Sequence, residues 1–245
     1  MQDIYKNMVA GTAAQKKRLA ILIDPDKPAH LPQILAAVEG LHISYFFVGG
    51  SLVSVPHIAD VVAKIKQATD IPVVIFPGSP AQITPNADGI LLLSLISGRN
   101  AELLIGSHVV AAPMLKQSGL EILPTGYMLI DGGKPTTVSY ISNTQPIPAN
   151  KPEIAACTAM AGEMLGLKII YLDAGSGAQN HVSVAMIEAV RQQVSLPIIV
   201  GGGITSPAIA QELYRAGADI LVVGNVLEKS PELLQQFSDV LKAFL

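Results

Sequence analysis

Apolar and polar positions alternate along this chain in blocks. Short runs rich in Val, Ile and Leu recur at 19–23, 45–48, 73–76, 89–93, 121–130, 168–172, 197–200 and 220–223. Each is followed by a polar or glycine-bearing turn, then by a segment with apolar residues three and four apart. Leu31, Leu35 and Val38 show this spacing, as do Ile58, Val61, Val62 and Ile65, and Met186, Ile187 and Val190. Period-3.6 segments are amphipathic helices, and short continuous apolar runs are strands buried on both faces. Strand and helix in regular alternation predict a parallel sheet. Eight such units in 245 residues predict a single α/β domain over 1–245, a closed (β/α)8 TIM barrel rather than an open sheet.

One unit breaks the rhythm. Between the fifth run and its helix lie residues 131–150, with Gly132-Gly133, Pro135, Pro146 and Pro148. Within it, residues 136–141 read as a short strand pair or an ordered flap. A loop this long either borders the active site or decorates the surface.

Composition sharpens the picture. Hydrophobic residues make up 50% and charged residues 14%, where a quarter charged is usual. A parallel sheet covered on both faces accounts for such a surplus, and so would an apolar groove for a greasy substrate. Net charge is −3 and no basic cluster exceeds Lys16-Lys17-Arg18, a solvated strand entry, so nucleic acid is not an expected partner. The longest stretch without Lys, Arg, Asp or Glu, 40–59, contains His42, Gly49-Gly50 and His57 and so does not read as a membrane span. At most peripheral membrane contact is expected. No secretory leader is visible, and Cys157 stands alone in a helical run, which fits buried packing and a reducing cytoplasm.

In a (β/α)8 barrel the chemistry sits at the C-terminal ends of the strands. There the chain places Gly175-Ser176-Gly177 after the sixth run, Gly201-Gly202-Gly203 after the seventh and Gly224-Asn225 after the eighth. Glycine lets backbone N–H groups approach an anion without a Cβ in the way, and the next helix adds its positive end. The three turns therefore read as a cradle for a phosphate monoester at the ends of strands six to eight, beyond what tight turns alone require. On the opposite rim stand Asp24, Asp26 and Ser51. A carboxylate and a hydroxyl beside phosphate oxygens can hold Mg²⁺ with waters; a helix cap and a turn support are the alternative roles. Asp173, beside the cradle, is a candidate general base or a hydrogen-bond partner for a polyol hydroxyl. Tyr171, two residues earlier, shares its face. The five histidines have no metal-ligand spacing.

These strand ends also match known sequence. Leu22-Ile23-Asp24-Pro25-Asp26-Lys27, Val48-Gly49-Gly50-Ser51, Pro124-Thr125-Gly126-Tyr127, Tyr171-Leu172-Asp173-Ala174-Gly175-Ser176-Gly177-Ala178, Ile199-Val200-Gly201-Gly202-Gly203-Ile204 and Val223-Gly224-Asn225 occur in this order. Together they resemble the geranylgeranylglyceryl phosphate synthase family, which includes bacterial heptaprenylglyceryl phosphate synthases. Ser97 through Asn100 and His108 through Pro113 are similar too, so the resemblance spans nearly the whole chain.

The resemblance implies an Mg²⁺-dependent prenyltransferase of ether-lipid synthesis. It would join sn-glycerol 1-phosphate to a polyprenyl diphosphate and release diphosphate. The glycerol phosphate would lie on Tyr171, Leu172, Asp173, Ala174, Gly175, Ser176, Gly177, Gly202, Gly203, Gly224 and Asn225. Asp24 and Ser51 would hold Mg²⁺, Asp173 and Tyr171 would be the catalytic side chains, and the prenyl tail would run in an apolar groove across the barrel top. The stretches at Asp24 to Lys27 and Tyr171 to Ala178 favour geranylgeranyl diphosphate over a heptaprenyl donor. A homo-oligomer, dimer or hexamer, is expected. The family motif has Glu where this chain has Asp173, one methylene shorter. Two rival readings follow from the residues alone: a sugar-phosphate isomerase or epimerase using Asp24 and Asp173, and a non-catalytic phospholigand-binding barrel.

Overall fold

A computed structural model describes residues 3–54 and 57–245. The strands β1 (Arg18–Ile23), β2 (Tyr45–Gly50), β3 (Val73–Pro77), β4 (Gly89–Leu95), β5 (Glu121–Leu129), β6 (Ile169–Asp173), β7 (Ile198–Gly201) and β8 (Ile220–Val223) pair in sequence order, all parallel. The pairing of Arg18 with Ile220 closes the barrel between β1 and β8. Helices α1 (Ile4–Ala13), α2 (Leu31–Ala37), α3 (Ile58–Ala68), α4 (Ser107–Ser118), α5 (Thr137–Ser142), α6 (Pro152–Met164), α7 (Val184–Arg191), α8 (Pro207–Ala216), α9 (Asn225–Lys229) and α10 (Leu233–Lys242) accompany them. The (β/α)8 barrel expected from the pattern is the fold.

Strand alternation sorts the apolar residues into two cores. Leu19, Ile21 and Ile23 of β1 point outward and pack under the helices with Phe46, Ile75, Leu172 and Leu221. Ala20, Tyr45, Phe47, Val74, Leu91, Leu123, Tyr171 and Ile199 point inward and fill the barrel. Because both faces are covered, the strands carry no polar alternation, and the chain's low charge follows. At the N-terminal end, Ile4 and Met8 of α1 join the inner core. The Glu121 carboxylate accepts the N–H groups of Ile4 and Tyr5 at 2.6 and 2.8 Å, which caps α1 and holds it across the barrel floor. Lys17 also serves the floor: with Arg191 it pairs with buried Asp219, rather than standing in solvent.

Several strands run one or two residues past their apolar runs. Gly49 and Gly50 stay paired with Phe76 and Pro77, Ser94 and Leu95 with Gly126 and Tyr127, and Asp173 with Gly201. The parallel ladder bonds backbone, so it continues through glycine and polar residues where hydrophobicity stops. Those extra residues form the mouth.

One of two alternatives for residues 136–141 fails, as does the expected burial of Cys157. Residues 136–141 form no strand pair. Thr137–Ser142 is a helix, started by the Thr136 N–H donating to the Ser139 hydroxyl at 3.0 Å and ended by Asn143 in the left-handed conformation. Local capping outweighs the β-propensity of Thr137, Val138 and Tyr140. Cys157 is exposed on α6, because Ala155, Ala156 and Ala159 take the inner face. No helix among the described residues is long and apolar enough to cross a membrane.

Candidate active site

The mouth has two unlike halves. On one side the turns after β6, β7 and β8 meet. Gly175 and Gly202 both adopt the left-handed backbone, with φ of +89° and +80°. A Cβ on Gly202 would stand 2.6 Å from the Gly175 nitrogen and 2.8 Å from Asp173 Oδ1, so only glycine lets the two turns approach this closely. The Ser176 hydroxyl donates to Asn225 Oδ1 at 2.8 Å and ties the β6 turn to the start of α9. A Cβ on Gly175 would meet Thr136 Oγ1 at 2.7 Å, so the long loop after β5 walls this half of the site.

Not every amide in these turns is free for an anion. The Gly175 N–H donates to Asp173 Oδ1 at 2.7 Å, and the Ala174 N–H donates to the Gly201 carbonyl at 3.1 Å. Among the described residues no acceptor takes the N–H groups of Ser176, Gly177, Gly202 or Gly203. These four, on two facing turns, are the donors a phosphate can use. Leu172 faces the outer core and Ala174 is buried, so both contribute backbone and not side chain.

Asp173 is 7% exposed. Its Oδ2 accepts the Tyr127 hydroxyl at 2.7 Å while Oδ1 takes the Gly175 N–H. Burial pushes its carboxyl above the ordinary carboxylate range, against the lowering pull of those two bonds. Tyr171 is 1% exposed and stacks on Phe76 with ring centroids 5.1 Å apart, edge-on to Tyr127 at 5.5 Å. Burial first, then the Asp173 charge, pushes both phenols well above their usual range, so both keep their protons, and Tyr127 donates its own to Asp173. Tyr171 thus sits beneath the site as a packed platform.

On the other side of the mouth opens an apolar groove of ≈ 150 Å³. It starts at Gly50, Ser51 and Pro77, passes over Phe76 and Tyr127, and continues between β4 and α4 along Leu93, Leu103, Ala111 and Leu115. Val138 and Ile141 of α5 form part of its wall, so the long loop borders groove and cradle alike. α4 reaches this position through the π-helical turn Glu102–Gly106, of a kind found at functional sites. His108 lies in the wall with Nε2 3.3 Å from the Ser94 hydroxyl.

Ser51 lines the groove's entrance, and Asp24 follows the end of the neighbouring strand β1. Asp24 Oδ1 accepts the Asp26 N–H at 3.0 Å, and Oδ2 lies 3.2 Å from the Lys27 ammonium. Asp26 Oδ2 accepts both the N–H and the hydroxyl of Ser54 at 2.8 Å, clipping the β2 loop to the β1 loop, and among the described residues it makes no cap bond to the following helical turn. No group of three or more Asp, Glu, His or Cys able to cage a metal occurs among the described residues. One carboxylate and one hydroxyl at an open rim fit an ion that takes its other ligands from water and phosphate oxygens, as Mg²⁺ does.

The structure therefore gathers Asp173, Gly175, Ser176, Gly177, Gly202, Gly203, Gly224 and Asn225 on one half of the mouth and Asp24 and Ser51 on the other. Tyr127 and Phe76, which the sequence reading left without a role, form the floor between them. Their signal was parity: Leu123, Thr125 and Tyr127 share one face of β5, and that face is the barrel interior.

Known proteins match along nearly all of this length. A protein of Spirosoma linguale called geranylgeranylglyceryl phosphate synthase is 56% identical over 94% of this chain and 93% of its own length. One of the same description from Chitinophaga pinensis is 53% identical over 98% and 96%. The solved structure of (S)-3-O-geranylgeranylglyceryl phosphate synthase from Thermoplasma acidophilum, in complex with its substrate sn-glycerol-1-phosphate, superposes with a TM-score of 0.92. It is 32% identical and covers 99% of this chain and 100% of that one. The PcrB family model matches residues 12–243, from the approach to β1 through the end of α10. With sequence, fold and site geometry in agreement, the chain belongs to the PcrB family.

Proposed function

We propose that this protein joins sn-glycerol 1-phosphate to geranylgeranyl diphosphate, forming a prenylglyceryl phosphate and diphosphate for ether-lipid synthesis. The observation that carries the reading is the adjacency of two unlike half-sites, a glycine cradle with free amides and an apolar groove, with the Tyr127–Asp173 pair at their junction. An isomerase of sugar phosphates has no use for the groove, and a plain phosphate-binding barrel has no use for a buried, raised-pKa carboxylate beside the cradle.

The residues divide the work. The amides of Ser176, Gly177, Gly202 and Gly203, with Asn225, hold the phosphate and so fix the glycerol backbone. The prenyl tail lies between β4 and α4, which aims its allylic carbon at the junction. The free primary hydroxyl of glycerol phosphate attacks that carbon as the C–O bond to diphosphate breaks, and the bonding pair leaves with diphosphate. Asp173 accepts the hydroxyl proton, while the Tyr127 hydroxyl and the Gly175 amide hold its carboxylate in place. Holding both reactants at contact supplies much of the acceleration. Asp24 and Ser51 would hold Mg²⁺, whose charge offsets that of the leaving diphosphate. Phe76, Tyr127 and the groove keep water from the allylic centre, where it would give a prenyl alcohol instead.

The test is incubation of purified protein with labelled sn-glycerol 1-phosphate and geranylgeranyl diphosphate, with Mg²⁺ and with chelator. An Mg²⁺-dependent apolar product is expected. Glycerol phosphate binding without turnover would leave only a binding barrel. A series of donors up to heptaprenyl diphosphate reads the tail length, and faster turnover of the longest would overturn the geranylgeranyl assignment.

The protein is further proposed to work in the cytoplasm as a homo-oligomer, a dimer or a hexamer. The outward side of α4 supports this, since Val109, Val110 and Met114 stand exposed there. A monomer by light scattering at working concentration would overturn it.

A further inference from the structure

Lys27 stands at the seam where β8 meets β1. Its backbone N–H donates to the Asp24 carbonyl at 3.0 Å, so a tight turn fixes the root of its side chain. Its ammonium is shared: Asp24 Oδ2 lies at 3.2 Å and Glu228 Oε2 at 3.5 Å. Glu228 belongs to α9, the short helix that opens with Asn225 in the glycerol phosphate cradle. Its side chain is more buried than that of Lys27, 18% against 49% exposed, so the carboxylate is the fixed partner and the ammonium the movable one.

This arrangement conflicts with the role proposed for Asp24. One of its oxygens accepts the Asp26 amide and the other faces the Lys27 ammonium. A divalent cation approaching that carboxylate meets a like charge. Lys27 must turn aside, and a compact ammonium on a flexible four-carbon stem can do so. Glu228, 3.5 Å away, is placed to hold it at the mouth. On the prenyl-transfer reading, the anion beside Asp24 and its metal would be the diphosphate.

We propose that Lys27 is a transferable counter-charge. In the resting protein it neutralises Asp24. On loading it passes to the diphosphate, with Glu228 as its tether, and there it binds the leaving group. The inference rests on the prenyl-transfer reading for the identity of the anion, though its own test requires no turnover.

That test is calorimetry on the full chain with inorganic diphosphate and Mg²⁺, and separately with Mn²⁺ alone. Lys27→Met should weaken diphosphate binding about tenfold, the worth of one charge-assisted contact, and Lys27→Arg should restore most of it. The same Lys27→Met change should tighten Mn²⁺, because the competitor for Asp24 is gone. Glu228→Gln should weaken Mn²⁺, because the ammonium then rests wholly on Asp24. Binding of sn-glycerol 1-phosphate, unchanged in Lys27→Met, shows that the variant is folded. A purely structural ion pair predicts that Lys27→Met and Glu228→Gln act alike and that diphosphate affinity does not move; either result overturns the proposal, as does a parent protein that binds no diphosphate. A parent that binds diphosphate in this pattern yet makes no prenyl ether would sink the prenyl-transfer reading and leave the role of Lys27 standing.

Discussion

The Tyr127 hydroxyl donates to Asp173 Oδ2 at 2.7 Å, and this bond ties the groove to the cradle. Tyr127 lies in the groove wall, and Asp173 belongs to the turn that builds the cradle. Tyr127→Phe would leave a buried carboxylate oxygen without its donor, at a cost of about 1–3 kcal/mol in stability. It would also remove the first of the two contacts that lower the Asp173 pKa. The expected outcome is a lower melting temperature, and a pH–rate profile whose acid limb shifts to higher pH. An unmoved acid limb would separate Tyr127 from the titrating group.

Asp173 itself carries a pH signature. Its carboxyl is raised in the folded protein, so the folded state holds that proton to higher pH than the unfolded chain. The stability contributed by this site is therefore full below the ordinary carboxylate range and is lost as pH rises through the raised value. The basic form needed for turnover appears over that same interval. Activity should rise where this part of the stability falls, and Asp173→Asn should flatten both trends while cutting turnover by about 10²- to 10⁴-fold. A variant with parental turnover would remove Asp173 from the proton path.

Asp173→Glu supplies the side chain that the sequence resemblance leads one to expect at this position. The extra methylene adds about 1.5 Å of reach toward a hydroxyl held on the free amides. Turnover should equal or exceed that of the parent, measured as kcat with glycerol phosphate saturating. A large loss would mean that the Tyr127 and Gly175 contacts are built for the shorter acid.

Gly202→Ala tests the cradle. The new Cβ would press on the Gly175 nitrogen at 2.6 Å, in a backbone conformation that costs alanine about 1–2 kcal/mol. The KM for glycerol phosphate should rise steeply while binding of inorganic diphosphate with Mg²⁺ is retained. Parallel loss of both would show that the two half-sites are one cooperative unit.

Asp24→Asn should raise the Mg²⁺ concentration needed for half-maximal rate, and chelation should abolish turnover reversibly. Full activity in chelator would mean that Lys27 and the cradle suffice without the ion.

Much of this was legible in the chain, for physical reasons. The eight strands are buried on both faces, so each announces itself as a short apolar run, and the glycine turns at 175–177 and 201–203 mark the mouth. The misses arise where packing and individual side-chain bonds decide. Nothing local to Cys157 says that three alanines will take the inward face of α6. Thr137 and Val138 favour strand, and only the bond between Thr136 and Ser139 turns them into a helix. The partnership of Tyr127 with Asp173 spans 46 residues, and that of Lys27 with Glu228 crosses the barrel seam; neither leaves a trace in spacing. The glycine turns suggested a uniform anion cradle, yet the Gly175 amide is spent on Asp173, a detail visible only in three dimensions.

The filled barrel also governs traffic. With inner side chains packed down to Ile4 and Met8 at the floor, nothing passes through the barrel itself, and among the described residues the mouth is the doorway. Donor, acceptor, spent diphosphate and finished lipid must all use the same rim. Diphosphate that lingers at Asp24 and Lys27 therefore stands where the next donor must dock. It should inhibit in competition with the prenyl donor rather than with glycerol phosphate, and the pace of the cycle becomes a matter of clearing the threshold.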